Sequence, residues 1–188
     1  MSRRPSTSGQ RAKVVRRTGP RPPNRASLRI RSARGGDLPA LATLMAVSPL
    51  LERYGTTRRT GLGALTRGRA SGDRVIVAAA PDGGLVGMAW VVPSRILTGA
   101  AYLRLLLVGE ERQRAGVGAA LLAAAEAATR AIANHLVLLA TTDNAGARRF
   151  YERHGYRHVG DLPGLARPGL DEALYWKTLR AHGARLPV

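Results

Sequence analysis

The chain of 188 residues contains no cysteine. That excludes disulfides, thiolate metal sites and any cysteinyl acyl intermediate. Aromatic residues make up only 4%, so stacking on bases is not expected to dominate any binding of nucleic acid. Acids are scarce as well, with 12 Asp and Glu against 30 Lys and Arg, for a net charge of +18. Lysine itself is almost missing: only Lys13 and Lys177 occur, and every other basic residue is arginine. Together with the many Ala and Gly, this bias suits a GC-rich genome. The charge is therefore open to two readings, codon usage or a polyanionic partner. No apolar run approaches the ~20 residues of a membrane span. The basic N-terminal segment is not followed by the apolar core of a signal peptide. A soluble, cytoplasmic protein without membrane association is the expectation. The four histidines (His135, His154, His158, His182) show no metal-ligand spacing, so no metal is expected.

What is present divides the chain into three parts. Residues 1–26 carry eight basic groups, no acid and almost nothing to bury, the composition of a disordered tail. Such a tail suits either an unselected extension or an arm with weak affinity for nucleic acid. Residues 27–180 carry the folding pattern, and 181–188 form a short C-terminal tail. Within the middle part, Leu28–Arg31 alternates apolar and polar and predicts a strand. Asp37 is placed to cap a helix with Leu38, Leu41, Leu44 and Met45 on one face, Pro39 being tolerated in its first turn. A second helical stretch over 49–69 is expected to be interrupted at Gly55 and Gly61. Arg74–Ala80 and Leu85–Val92 predict a hairpin around Pro81–Gly84. Tyr102–Val108 predicts a further strand, and Gly116–Ile132 a helix with a continuous apolar stripe. A strand over Leu136–Thr141, a helix over Ala145–His154 and short strands at Arg157–Gly160 and Ala173–Lys177 complete a mixed α/β domain.

The junction from Val108 to Gly118 is the most informative segment. It leads from a strand into a helix, where first-turn amides lack intrahelical partners and the helix dipole adds positive potential. Glycines at 116 and 118 remove side chains that would block a close approach, so the site suits a phosphate or pyrophosphate held by backbone. It is not a P-loop, because no Gly-Lys-Ser/Thr occurs. A dinucleotide fingerprint would want a third glycine where Leu121 stands. A tight turn without a ligand remains open on this segment alone.

The same run resembles the acetyl-CoA signature of the GNAT superfamily, Arg/Gln-x-x-Gly-x-Gly/Ala after a strand ending in Val. Val108, Gln113, Gly116 and Gly118 fall on its positions, while Glu110 departs from the proline often found in that loop. Downstream, Asn144 to Tyr156 resembles the family's Asn-x-x-Ala-x-x-Phe-Tyr-x-x-x-Gly-Phe element, with Tyr156 in place of the last Phe.

The resemblance implies a GNAT fold: a central, mostly antiparallel twisted sheet with a splayed strand pair, flanked by helices. It implies an acetyl-CoA-dependent N-acetyltransferase acting on a primary amine, with no metal. Leu106, Leu107 and Val108 would pair with the pantetheine arm. Gln113, Arg114, Ala115, Gly116, Val117, Gly118 and Ala119 would cradle the pyrophosphate, and Asn144 and Tyr151 would contact the cofactor. Tyr151 would protonate the departing thiolate, since an ordinary phenol with a pKa of about 10 keeps its proton at neutral pH. Without a thiol, direct attack by the acceptor in a ternary complex is simpler than a covalent relay. The strand Tyr102–Val108 holds no acid to act as base, leaving Glu52 as a weak candidate. The acceptor wall, about residues 44–70, is not strongly acidic, which disfavours a polycationic acceptor and tolerates a neutral or anionic one. Small molecule, protein and homodimer readings all stay open. So does the alternative of a nucleic-acid-associated protein whose CoA-binding domain has weak or regulatory activity.

Overall fold

The structure is a computed structural model that describes residues 28–93 and 99–179. The tails read as 1–26 and 181–188 lie outside the described residues. Strand β1 (Arg29–Ser32) leads through a 3-10 turn at Gly35–Asp37 into helices α1 (Leu38–Ala46), α2 (Pro49–Glu52) and α3 (Arg58–Ala70). Strands β2 (Arg74–Ala79), β3 (Leu85–Pro93) and β4 (Ala100–Val108) follow. Helix α4 (Val117–Arg130), strand β5 (His135–Thr141), helix α5 (Ala145–Arg153) and strands β6 (Arg157–Arg167) and β7 (Leu170–Thr178) complete the order. The seven strands form one sheet in the order β1-β2-β3-β4-β5-β7-β6, antiparallel throughout except for β4 with β5.

Local chemistry explains most of these elements. In α1, Leu38, Leu41, Ala42 and Met45 recur at helical spacing and are buried. Asp37 stands at its start, but its carboxylate does not cap α1. It accepts from the Arg34 amide at 2.6 Å and from both terminal nitrogens of Arg31, at 2.6 and 3.0 Å, tying the helix entry to β1. Gly61 does not interrupt α3; it lies inside the helix, where it lets Met45 of α1 pack close. The β2–β3 turn uses Gly83 at φ +87° and an Asp82 carboxylate that accepts from the Gly84 amide at 2.9 Å.

The sheet has a core on each face. On one side Val117, Leu121, Leu122 and Ala125 of α4, with Tyr151 of α5, pack on Ala89, Val91, Leu103 and Leu138. On the other, Leu41 and Met45 of α1 and Leu65 of α3 pack on Val77, Met88, Trp90 and Leu107. Burying each such aliphatic side chain is worth roughly 1.5–3 kcal/mol relative to exposure. Gly87 is required where α4 crosses β3, because a Cβ there would stand 2.8 Å from the Leu107 carbonyl oxygen and 3.0 Å from Leu121.

Candidate acyl-transfer cleft

The cleft begins where the sheet's only parallel pairing among the described residues ends. β4 and β5 are in register from Ala100 opposite His135 to Leu103 opposite Leu138, and pairing then stops. β4 runs on to Val108 beside β3, while β5 runs on to Thr141 beside β7. The parting has a local cause. Trp90 faces Leu105 and Val91 faces Leu103, so Arg104 is an extra residue in β4. Such a bulge bends its strand, here at the residue following the last parallel pair. A cleft of about 1900 Å³ occupies the resulting gap and reaches both faces of the sheet.

On the α4 face the cleft is bounded by the 109–116 loop and the first turn of α4. Arg114 has φ +61° and Gly116 φ +82°, so the chain passes through the left-handed region twice before the helix starts. For Arg114 this conformation costs on the order of 1–2 kcal/mol, strain of the kind that gathers at ligand-binding loops. The Gln113 side chain reaches back to the Val108 carbonyl oxygen at 3.4 Å, bracing the loop. The first intrahelical bond runs from the Ala120 amide to the Gly116 carbonyl at 3.1 Å. The amides of Val117, Gly118 and Ala119 are thus the free donors of the helix start, with the positive end of the dipole behind them. A donor set of backbone N–H groups, with glycine at 118, fits an anionic phosphate chain.

Leu106, Leu107, Val108, Gln113, Arg114, Gly116, Gly118, Ala119, Asn144 and Tyr151 all line this cleft. Of the residues expected to hold the cofactor, Ala115 and Val117 do not; Val117 points its side chain into the core, where it is 1% exposed. That does not remove their backbone amides from the loop. Asn144 has a structural task too: its side chain accepts from the Ala147 amide at 3.0 Å and caps α5. Phe150 packs on Gly118, 3.6 Å from where a Cβ would stand, so the two sequence motifs touch.

Tyr151 is 7% exposed and sits among the rings of Phe150, Tyr156 and Tyr175, with centroids 5.3, 5.7 and 6.2 Å away. Burial raises its pKa well above the ordinary phenol value, with a smaller contribution from Tyr102. Its phenol therefore keeps its proton at neutral pH and can give it only to a strong base formed nearby.

On the opposite face the sequence reading missed the most pointed feature. Glu172 of β7 is 4% exposed yet lines the cleft. It stands opposite Thr141 in the β5–β7 pair. The Tyr54 phenol, from the turn after α2, donates to Glu172 Oε1 and also lies 3.1 Å from Thr141 Oγ1. Among the described residues Glu172 forms no ion pair. Burial raises the Tyr54 pKa first, and the bond to Glu172 adds to it. Glu52, the weak candidate base, is exposed on α2 and lies outside the cleft lining. Its neighbour Arg53 turns outward to Asp143 at 2.9 Å. An acid between Leu170 and Leu174 at the alternating spacing of a strand was the available signal for Glu172, but the expected strand began one residue after it.

Residues 71–158 match the family model described as an acetyltransferase (GNAT) domain. The chain carries a GNAT domain over those residues. Solved structures with the GNAT fold agree along most of the chain. The structure of yncA from Salmonella typhimurium with its cofactor acetyl-CoA matches with a TM-score of 0.68 at 18% identity, over 84% of this chain and 97% of that one. An N-acetyltransferase from Staphylococcus aureus Mu50 matches with a TM-score of 0.69 at 18% identity, over 81% and 99%. A ribosomal-protein-alanine N-acetyltransferase from Brucella melitensis matches with a TM-score of 0.65 at 23% identity, over 79% and 98%. No curated protein matches the chain by sequence. The GNAT fold expected from the two motifs is present, down to the splayed strand pair. Among the described residues no helix is long and apolar enough to cross a membrane, and no His, Cys, Asp and Glu cluster could hold a metal.

Proposed function

We propose that this GNAT acetyltransferase moves an acetyl group from acetyl-CoA directly to a primary amine bound in the same cleft. One observation carries the reading: a single cleft passes through the parted strands, with the α4 amides on one face and Tyr54 and Glu172 on the other. When bound, acetyl-CoA supplies the activated acyl thioester. The chain's own residues would do the rest. The amides from Gln113 to Ala119 hold the pyrophosphate against the helix dipole. The free edge of β4 at Leu106–Val108 offers backbone groups to an extended amide-bearing arm. Tyr151 keeps a proton in place for the leaving sulfur. The complete absence of cysteine favours direct transfer over an acyl-enzyme.

An amine acceptor agrees with the substrate class named for the Brucella relative, a ribosomal-protein alanine. Measuring CoA thiol release across a panel of amines and peptides tests the activity. Initial rates with both substrates varied should give intersecting lines; parallel lines would contradict direct transfer. The eight basic groups in residues 1–26 support a second, separable property, weak binding of nucleic acid. Its affinity should fall steeply with salt and be lost on deleting those residues, with turnover of a small acceptor changed by no more than about twofold.

A further inference from the structure

The face of the sheet opposite α4 presents a buried anion and an exposed cation to the cleft. Glu172 is buried without a cationic partner, and no described residue donates to its second oxygen, Oε2. Arg104, the bulged residue of β4, lies on the same face of the sheet. Its guanidinium stacks on Trp90 at 4.7 Å from the ring centroid, and Trp90 is itself fixed by Asp73, which accepts from the indole nitrogen at 2.8 Å. Arg104 is exposed, lines the cleft and is in no ion pair among the described residues; the same holds for Arg67 of α3.

We propose that Glu172 receives the ammonium of the acceptor and Arg104 its opposite, anionic end, so that the acceptor is a small amine carrying a carboxylate. This rests on the acetyltransferase reading above and names its acceptor. Tyr102, two residues before Arg104 in β4, lines the same cleft as both charges. Its half-buried phenol feels both groups: burial raises its pKa, Arg104 opposes that rise and Glu172 adds to it. A desolvated carboxylate awaiting a cation is costly unless the ligand supplies one. A guanidinium stacked on an indole is presented as a flat fork, suited to a carboxylate. A polyamine or a basic peptide would place a second positive charge against Arg104 and Arg67, where the field repels it. The Arg53 guanidinium, which also feels the Glu172 charge, is already paired with Asp143.

In the transfer, the acceptor ammonium gives one proton to Glu172, and its nitrogen forms the new C–N bond. The bond broken is the thioester C–S bond, and the sulfur takes the proton held by Tyr151. Tyr151 regains a proton as Glu172 releases its own, and a second ammonium proton leaves to solvent with the amide product.

The test compares amino acids with the matching amines that lack the carboxyl group, and with a polyamine and a lysine-containing peptide. Both turnover and calorimetric binding to the CoA complex are read. The expected result is at least about tenfold higher kcat/KM for the acid-bearing amine. Glu172→Gln should lower kcat/KM by about 10²-fold with acetyl-CoA affinity unchanged. Arg104→Gln, at an exposed position that does not endanger folding, should raise KM for the acid-bearing amine and erase its advantage. A preference for the polyamine or the peptide would overturn the proposal. So would failure of every acid-bearing amine to bind, or wild-type kinetics in either variant. Loss of acetyl-CoA binding by the wild-type protein would instead strike the acetyltransferase reading itself.

Discussion

Tyr54 and Glu172 lie 118 positions apart in the sequence and meet through a hydrogen bond from phenol to carboxylate. The bond ties the turn between α2 and α3 to β7, across the mouth of the cleft. Tyr54→Phe removes the donor and leaves a buried carboxylate oxygen without it, which should cost about 1–2 kcal/mol. Urea denaturation should show a lower midpoint with an unchanged slope. Stability equal to the parent would mean that water replaces the phenol at no cost.

Tyr151→Phe keeps the packing against Phe150, Tyr156 and Tyr175 and removes only the hydroxyl. In single-turnover experiments the rate should fall about 10²-fold with acetyl-CoA affinity unchanged. Since the folded phenol is held above its ordinary value of 10.0, the group stays protonated across the neutral range. No ionisation of Tyr151 should limit the rate below pH 10. The same raised value adds to stability below about pH 10, and that contribution is lost as pH rises further. A wild-type single-turnover rate in the variant would leave Tyr151 as a packing residue.

Gly68 of α3 has no room for a methyl group. A Cβ there would stand 2.5 Å from Asp73 Oδ2 and 2.6 Å from Trp90 Cζ2, and both atoms belong to the hydrogen-bonded pair that supports Arg104. Gly68→Ala should destabilise the fold by about 1–3 kcal/mol despite its better helix propensity. Tryptophan fluorescence during unfolding reads both the stability and the disturbed indole. A stabilised variant would show that Trp90 can shift freely.

Asp37 is held at about 2, well below its ordinary 3.8, chiefly by the hydrogen bonds from Arg31 and then by the Arg34 amide, against an opposing effect of partial burial. A lowered folded value stabilises the protein above the ordinary pKa and is lost as pH falls through about 2. Asp37→Asn should therefore cost about 1–2 kcal/mol at pH 7, with the difference from the parent shrinking between pH 4 and pH 2. A constant difference across that range would assign the effect to packing instead.

The α4-side half of the cleft was legible in the sequence because its determinants are local. Val108 to Gly118 and Asn144 to Tyr156 are continuous motifs, and helix-period or alternating patterns flank both. The half on the opposite face was not, because it is assembled by register. Glu172 becomes a cleft residue only once β7 pairs with β5 opposite Thr141, and Tyr54 only once its turn folds over both. Arg104 became exposed at a bulge that no spacing in β4 announces. β6 runs to Arg167, seven residues beyond the expected strand, because an edge strand accepts Pro163 and Gly164 where a central one would not. Propensity alone marks Gly61 as a break, because it does not reveal that Met45 packs against it.

The central claim is that the parted strands and the start of α4 form an acetyl-CoA site, and calorimetric titration with acetyl-CoA tests it most directly. The account predicts a micromolar Kd, on the order of −8 kcal/mol, for the wild-type protein. It predicts no binding by Gly118→Glu, whose carboxylate would stand among the first-turn amides. A Cβ at 118 makes only ordinary contacts, at 3.6 Å to Phe150 and 3.8 Å to Val108, so this variant should fold and melt within a few degrees of the parent. Undiminished binding by the folded Gly118→Glu protein, or none by the wild type, would contradict the account.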